Sequence, residues 1–284
     1  MTMLELSEAT LAYDVHGSLP PADGRPPLFL VGAPMGAGGF GTLAGYLADR
    51  TVVTYDPRGM DRSTRKDGRS EHTPEQNADD VHRIIEVIGG PVEMFASSGG
   101  AVTALALVAA HPGDVTTVVA HEPPLITLLP DADRAVAAER AVQAAYREKG
   151  WGHGMAAFLA LTSWTGEFPE DFGVRLPDPA AFGLPADDDG AREDPLLSGA
   201  SNPVTAYRPD VAALAAAPTR IVVAVGEESA ELLTGRTSVA VARALGQEPV
   251  VFPGGHGGFL GPEFGQPGKP EAFAARLREV FDAS

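Results

Sequence analysis

The 284-residue chain contains no cysteine. Disulfides, cysteine-ligated zinc and a thiol nucleophile are thereby excluded. Positive charge is scarce: 21 Lys and Arg face 38 Asp and Glu, a net charge of −17 with histidine neutral. A chain of that sign repels nucleic acid and anionic lipid, so neither nucleic acid nor membrane is expected as a partner. No basic-then-apolar segment opens the chain, and no apolar run is long enough to span a bilayer. A cytoplasmic location is the expectation. Hydrophobic residues make up 44% and charged residues 21%, which suits a soluble globular core. A chain of this length buries roughly three quarters of its unfolded surface and needs no covalent staples.

Strand-like and helix-like segments alternate. Glu5 to Leu6 and Leu11 to His16 read as an opening hairpin. Pro27 to Val31, Thr51 to Tyr55, Val92 to Phe95, Val115 to Ala120, Arg220 to Val225 and Pro249 to Phe252 are apolar runs of buried-strand length. Helices are expected over Phe40 to Ala48, Pro74 to Ile88 with Thr73 as N-cap, Gly99 to His111, Ser238 to Leu245 and Pro270 to Phe281. Repeated strand-helix-strand units with apolar strands predict an α/β fold, its mostly parallel sheet covered on both faces.

Residues 124 to 206 break this rhythm. They hold helix-type stretches, Asp133 to Lys149 and Gly154 to Trp164, then a Pro/Asp/Gly-rich section. The expectation is a core of residues 1–123 and 207–284, with residues 124–206 inserted as a mostly helical cap over the carboxyl ends of the strands. The run Ala186-Asp187-Asp188-Asp189-Gly190 reads as a solvated loop, and no metal site is expected.

Ser98 is the most informative residue. It sits in Val92-Glu-Met-Phe-Ala-Ser-Ser98-Gly99-Gly100-Ala-Val-Thr-Ala, where a β-type run gives way almost at once to an Ala-rich helical run. A serine on so tight a turn presents its hydroxyl at the sheet edge beside helix N–H groups, a geometry suited to a nucleophile. Such a serine needs a base, and the base an orienting acid. Of seven histidines (His16, His72, His82, His111, His121, His153 and His256), His256 fits best. It lies between glycine pairs in a loop directly after the last strand, and the order Ser, acid, His is the one expected. The usual place for the acid reads Gly226-Glu227-Glu228-Ser229, with Ser229 where Asp would stand. Two acids remain: Glu122, at the end of the Val115 to Ala120 strand and followed by two prolines that turn the chain away, and Glu228. Glu122 is preferred.

An oxyanion hole requires two backbone N–H groups. Gly99 supplies one, and Ala33, in Gly32-Ala33-Pro34-Met35, the other. The competing reading of Gly36-Ala37-Gly38-Gly39 as a phosphate-cradling loop lacks the Gly-Lys pair of such loops. The loop Asp56-Pro57-Arg58-Gly59-Met60-Asp61-Arg62-Ser63 reads as a local network pinning the turn. Met35, Trp151, Phe158 and Trp164 are candidates to line an apolar pocket under the cap.

Taken together, Gly-Ala-Pro-Met, Asp-Pro-Arg-Gly, Ala-Ser-Ser-Gly-Gly and Pro-Gly-Gly-His resemble the α/β-hydrolase superfamily over nearly the whole chain. The resemblance implies an eight-stranded, mostly parallel sheet with a variable cap, and a Ser-His-acid triad. An acid after the sixth strand is similar to some haloalkane dehalogenases and to the zearalenone lactone hydrolases. The expected activity is cleavage of an ester, lactone or thioester of a small apolar molecule through an acyl-enzyme, without a cofactor, by a monomer or homodimer. C–C hydrolysis, lyase or cofactor-free haloperoxidase chemistry on the same site is the first alternative, and a non-catalytic ligand-binding protein the second.

Overall fold

A computed structural model describes residues 1–265 and 267–283. Among the described residues nine strands form one sheet: β1 (Thr2–Glu5), β2 (Ala9–His16), β3 (Leu28–Ala33), β4 (Val52–Tyr55), β5 (Thr64–Arg65), β6 (Val92–Ser98), β7 (Val115–His121), β8 (Arg220–Gly226) and β9 (Val250–Phe252). The spatial order is β1-β2-β4-β3-β6-β7-β8-β9, with β5 paired to β2 off this path. Pairings from β4 through β9 are parallel, and those made by β2 are antiparallel. The eight-strand expectation therefore holds for the main path, and the two-residue β5 is the addition. A pair that short carries no hydrophobic pattern to read.

Helices α1 (Gly41–Tyr46), α2 (Pro74–Ile88), α3 (Gly99–Ala110), α4 (Ala132–Lys149), α5 (Trp151–Thr162), α6 (Asn202–Thr205), α7 (Val211–Ala216), α8 (Leu233–Ala244) and α9 (Pro270–Asp282) complete the chain. Among the described residues, no helix is long and apolar enough to cross a membrane. Thr73 caps α2, its hydroxyl accepting from the Gln76 N–H, with Pro74 in the first turn where a missing N–H costs nothing.

The period-two alternation of the strands sorts side chains onto the two sheet faces. Phe29, Val31, Met94 and Ala96 pack with α2, α3 and α8. Leu28, Leu30 and Phe95 pack with α1 and α9. A third, separate cluster joins Ala135, Val142 and Tyr146 of α4 to Ala157 and Leu161 of α5, with Phe168, Phe172 and Leu197. All of it lies in the segment between β7 and β8 except Leu233 of α8. Arg236 of α8 ties that segment down, donating to the Gly166 carbonyl at 2.6 Å and pairing with buried Asp131.

Helix α8 begins five residues before the Ser238 expected from sequence. Thr234, Gly235 and Thr237 are weak helix formers and mask its first turn. Gly235 is required there because a Cβ would meet the Ser229 carbonyl oxygen at 1.9 Å.

The loop after β4 forms a network as expected, but it reaches further than its own turn. Asp56 accepts from the Ala37 N–H at 2.8 Å and from Arg62 Nε at 2.5 Å. Arg58 grips Asp80 of α2 with two parallel bonds of 2.6 and 2.5 Å, both side chains buried. Gly36, Gly38 and Gly41 fall at the spacing of a dinucleotide-binding fingerprint. The carboxylates of Asp56 and Asp61 crowd Gly36, so a pyrophosphate approaching there meets negative charge.

His82, His111 and Asp114 also come together. His82 Nδ1 lies 2.7 Å from Asp114 Oδ2, and the two imidazoles stack at 3.7 Å with planes 8° apart. Histidine lone pairs lie in the ring plane, and two parallel planes share no point where one ion could sit. The acidic run at Asp187 to Asp189 is exposed, with Asp188 held by Arg192.

Removing one partner of a buried ion pair strands the other charge. Asp80→Ala is expected to lower unfolding stability by about 3 kcal/mol, read from urea midpoints at constant m-value. A loss under ~1 kcal/mol, the range of surface pairs, would show that Arg58 is adequately held by Asp67 alone.

Candidate active site

Ser98 is the last residue of β6 and the residue before α3. Its backbone has φ +58° and ψ −128°, a region side chains rarely adopt. The neighbours explain how such a turn fits. A Cβ on Gly100 would meet the Val31 carbonyl oxygen at 2.3 Å, and one on Gly99 would meet the Ala33 carbonyl oxygen at 2.7 Å. Only glycine lets α3 start this close to β3. Ala96, where the motif usually has glycine, is fully buried. The Ser98 side chain makes no capping bond to α3, so its hydroxyl is not spent on the helix.

Ala33 is the final residue of β3 and pairs in register with Ser98. The strand runs two residues further than Val31, the end read from sequence. Ala33, Ser98, Gly99 and His256 all border one cavity of about 570 Å³.

Glu122 follows β7 directly. Its φ is +50°, which turns the side chain back toward the sheet end, and it is fully buried. Three groups hold its carboxylate. The Gly226 N–H donates to Oε1 at 2.9 Å, the Thr234 hydroxyl donates to Oε2 at 2.6 Å, and His256 Nδ1 lies 2.7 Å from Oε2. Burial alone pushes the carboxyl up, but the His256 hydrogen bond, the neighbouring histidines and the Thr234 hydroxyl overcome it and bring it down to about 2. Glu228 lies elsewhere: exposed, with Oε1 2.8 Å from Lys269 Nζ. Ser229 is buried and its Oγ has no hydrogen-bond partner among the described residues.

Thr234 carried no sequence signal, because the first turn of α8 that presents it lies before the Ser238 start read from sequence. Of the four residues expected to line the pocket, only Phe158 does so. Met35 packs between Gly32 and Gly39 beneath its own loop. Trp151 donates Nε1–H to Asp194, and Trp164 stacks on Phe168 while donating to the Glu167 carbonyl. Large aromatics within the segment after β7 serve that segment's own core. The cavity wall is built instead from Pro124, Ile126, Leu159, Leu161, Val204 and Leu233.

His121, beside Glu122 in sequence, is fully buried in a box of Phe95, Phe252, Phe259 and Phe273. Its Nδ1 lies 3.1 Å from Ser97 Oγ, and Nε2, 4.0 Å from Glu122 Oε1, has no hydrogen-bond partner among the described residues. Burial among apolar rings drives it down to about 4 despite the adjacent carboxylate. The unfolded histidine titrates near 6.5. Between these values the unfolded chain binds a proton that the folded chain does not, so stability rises with pH across the window. The contribution is full above pH 6.5 and falls away toward pH 4, by about 3 kcal/mol in all. His121→Gln is expected to flatten the dependence of the urea midpoint between pH 7 and 4.5. Parallel curves for the two proteins would assign the loss to other groups.

The fold and these distances can be set beside known proteins. A model of the alpha/beta hydrolase family matches residues 28–276. The uncharacterized hydrolase YraK of Bacillus subtilis (strain 168) is 37% identical over 128 residues, which span 44% of this chain and 45% of that protein. A thermophilic esterase from Thermogutta terrifontis superposes with a TM-score of 0.66 at 22% identity, covering 99% of this chain and 98% of its own. The enol-lactonase from Burkholderia xenovorans LB400 superposes at 0.62 and 18% identity, covering 99% of this chain and all of that one. At such identities the superpositions speak for the fold, whereas the family model covers most of the sequence itself: the chain belongs to the alpha/beta hydrolase family.

Proposed function

We propose that this chain is a serine hydrolase of carboxylic esters or lactones, with Ser98 as nucleophile, His256 as base and Glu122 as its acid. The observation that carries the reading is the buried carboxylate of Glu122 bonded at 2.7 Å to His256 Nδ1, while His256 shares a cavity with Ser98 on its strained turn. The bond to Nδ1 leaves Nε2 as the nitrogen able to take a proton.

In the proposed cycle Ser98 Oγ attacks the substrate carbonyl and its proton passes to His256. Glu122 stays ionised throughout, being held at about 2, and balances the imidazolium. Negative charge gathers on the former carbonyl oxygen, and the N–H groups of Gly99 and Ala33 are assigned to it. Collapse breaks the bond to the leaving alkoxide, which takes the proton from His256. A water molecule then gives its proton to His256 and attacks the acyl carbon, and Ser98 departs with that proton. Each role falls to a group of this chain. Residues 124–206 act as the cap, whose α4, α5 and α6 supply much of the cavity wall. The esterase and enol-lactonase among the structural neighbours favour ester and lactone carbonyls over thioesters.

A fluorophosphonate probe followed by peptide mapping tests the reading. Labelling is expected on Ser98 and is expected to vanish in His256→Ala; well-folded protein that resists the probe would overturn the assignment. On a turned-over ester, Glu122→Gln is expected to lose on the order of 10⁴-fold in kcat, as for other triad acids, while Glu228→Gln stays near wild type. Near-wild-type turnover in Glu122→Gln would remove Glu122 from the triad.

A further inference from the structure

Besides Ser98, Thr234 and His256 of the reaction centre and the polar residues His72, Thr162, Ser163 and Ser201, the largely apolar cavity wall carries one polar strip. Glu139 and Gln143, one turn apart on α4, lie there with Asn202 and Thr205 of α6. A carboxylate among Ala135, Val142 and Leu161 costs stability unless something repays it. Within the protein it is only partly satisfied. Glu139 Oε1 accepts from Thr205 Oγ1 at 2.7 Å, and that hydroxyl's single proton is shared with the Asn202 carbonyl oxygen at 3.2 Å. Among the described residues Oε2 has no hydrogen-bond donor, and no Lys, Arg or His nitrogen lies within ion-pair distance. Gln143 Nε2 donates to Asn202 Oδ1 at 2.5 Å, which orients the Asn202 amide and leaves its own NH₂ uncommitted among the described residues.

The strip is close to the reaction centre. Val204, between Asn202 and Thr205, lies against Gly99: a Cβ built there would meet Val204 Cγ1 at 3.2 Å. Glu139 is thus tied, through Thr205, to the helix that rests on the turn after Ser98. A free acceptor on Glu139 beside a free donor on Asn202 matches an uncharged group that both gives and takes a hydrogen bond.

We propose that Glu139 is the specificity-determining residue of this cavity, and that the substrate is an ester or lactone whose apolar body carries a hydroxyl or amide group bonded to Glu139 Oε2 and Asn202 Nδ2. The proposal rests on the serine-hydrolase reading above. Burial raises the Glu139 carboxyl above the ordinary range, outweighing the Thr205 hydrogen bond and the Arg140 charge. A half-buried carboxyl of this kind gains from a donor brought by the ligand.

The test uses matched fluorophosphonates, n-alkyl and ω-hydroxyalkyl, with chains of about four to ten carbons, and reads the second-order rate of Ser98 labelling. Wild type is expected to favour the hydroxylated probe by about tenfold at one or more lengths, the size of one hydrogen bond to a charged group. Glu139→Leu is expected to bring the ratio of the two rates to about one by slowing the hydroxylated probe alone, and Glu139→Gln, which keeps an acceptor, to retain part of the ratio. If Glu139 merely ties α4 to α6, both probes slow together in Glu139→Leu, and the proposal falls. Labelling without preference in wild type also overturns it and leaves the hydrolase reading intact. No labelling of folded protein by either probe overturns both.

Discussion

The Glu122 carboxylate is a charge with no exposure to solvent, and that fact constrains the whole C-terminal rim of the sheet. A buried carboxylate without partners would cost several kcal/mol or take up a proton. Its partners come from three places in the chain: the end of β8 at Gly226, the first turn of α8 at Thr234, and the loop after β9 at His256. All lie 104 to 134 residues beyond Glu122 in sequence, and the sheet brings them to the end of β7. The carboxylate fixes the imidazole, and the parallel order β6-β7-β8-β9 brings His256 to the rim where β6 ends in Ser98.

The rim is also where the backbone leaves its ordinary conformations. Among the described residues, three that are not glycine have positive φ: Asp61 after β4, Ser98 ending β6 and Glu122 after β7. Asp61 lies exposed in its loop, whereas Ser98 and Glu122 carry their side chains at the ends of the strands, each held by its surroundings. For Ser98 the holding comes from the close approach of α3 to β3 through Gly99 and Gly100. For Glu122 it comes from the three hydrogen bonds to its side chain, with Pro123 and Pro124 directing the chain away afterwards. The segment after β7 then folds on its own hydrophobic cluster and is anchored by Arg236. Its α4, α5 and α6 contribute apolar side chains, together with Glu139 and its neighbours, to the wall of the cavity that Ser98 and His256 border.

Much of the fold was legible because its signals are local. Apolar runs marked the parallel strands, and Thr73-Pro74 marked the start of α2 to the residue. The first turn of α8 was hidden, since Thr234, Gly235 and Thr237 read as loop. Gly235 is glycine for a tertiary reason, the nearness of the Ser229 carbonyl, and such a reason leaves no local trace. Hydrophobicity likewise could not say which core an aromatic joins. Trp151 and Trp164 suit a pocket wall by composition, yet their indole N–H groups are drawn to Asp194 and Glu167, away from the cavity.

The sequence by itself determined that a serine lies on a strand-to-helix turn, that a histidine follows the last strand between glycines, and that the cysteine-dependent chemistries are excluded. These follow from residue type and short-range pattern. Only the tertiary structure shows which of Glu122 and Glu228 is desolvated and within reach of His256 Nδ1. Glu228, two residues after Gly226, is exposed and drawn out to Lys269, whereas Glu122 is shut in with His256. Burial and distance are properties of the folded chain, and no spacing of letters encodes them.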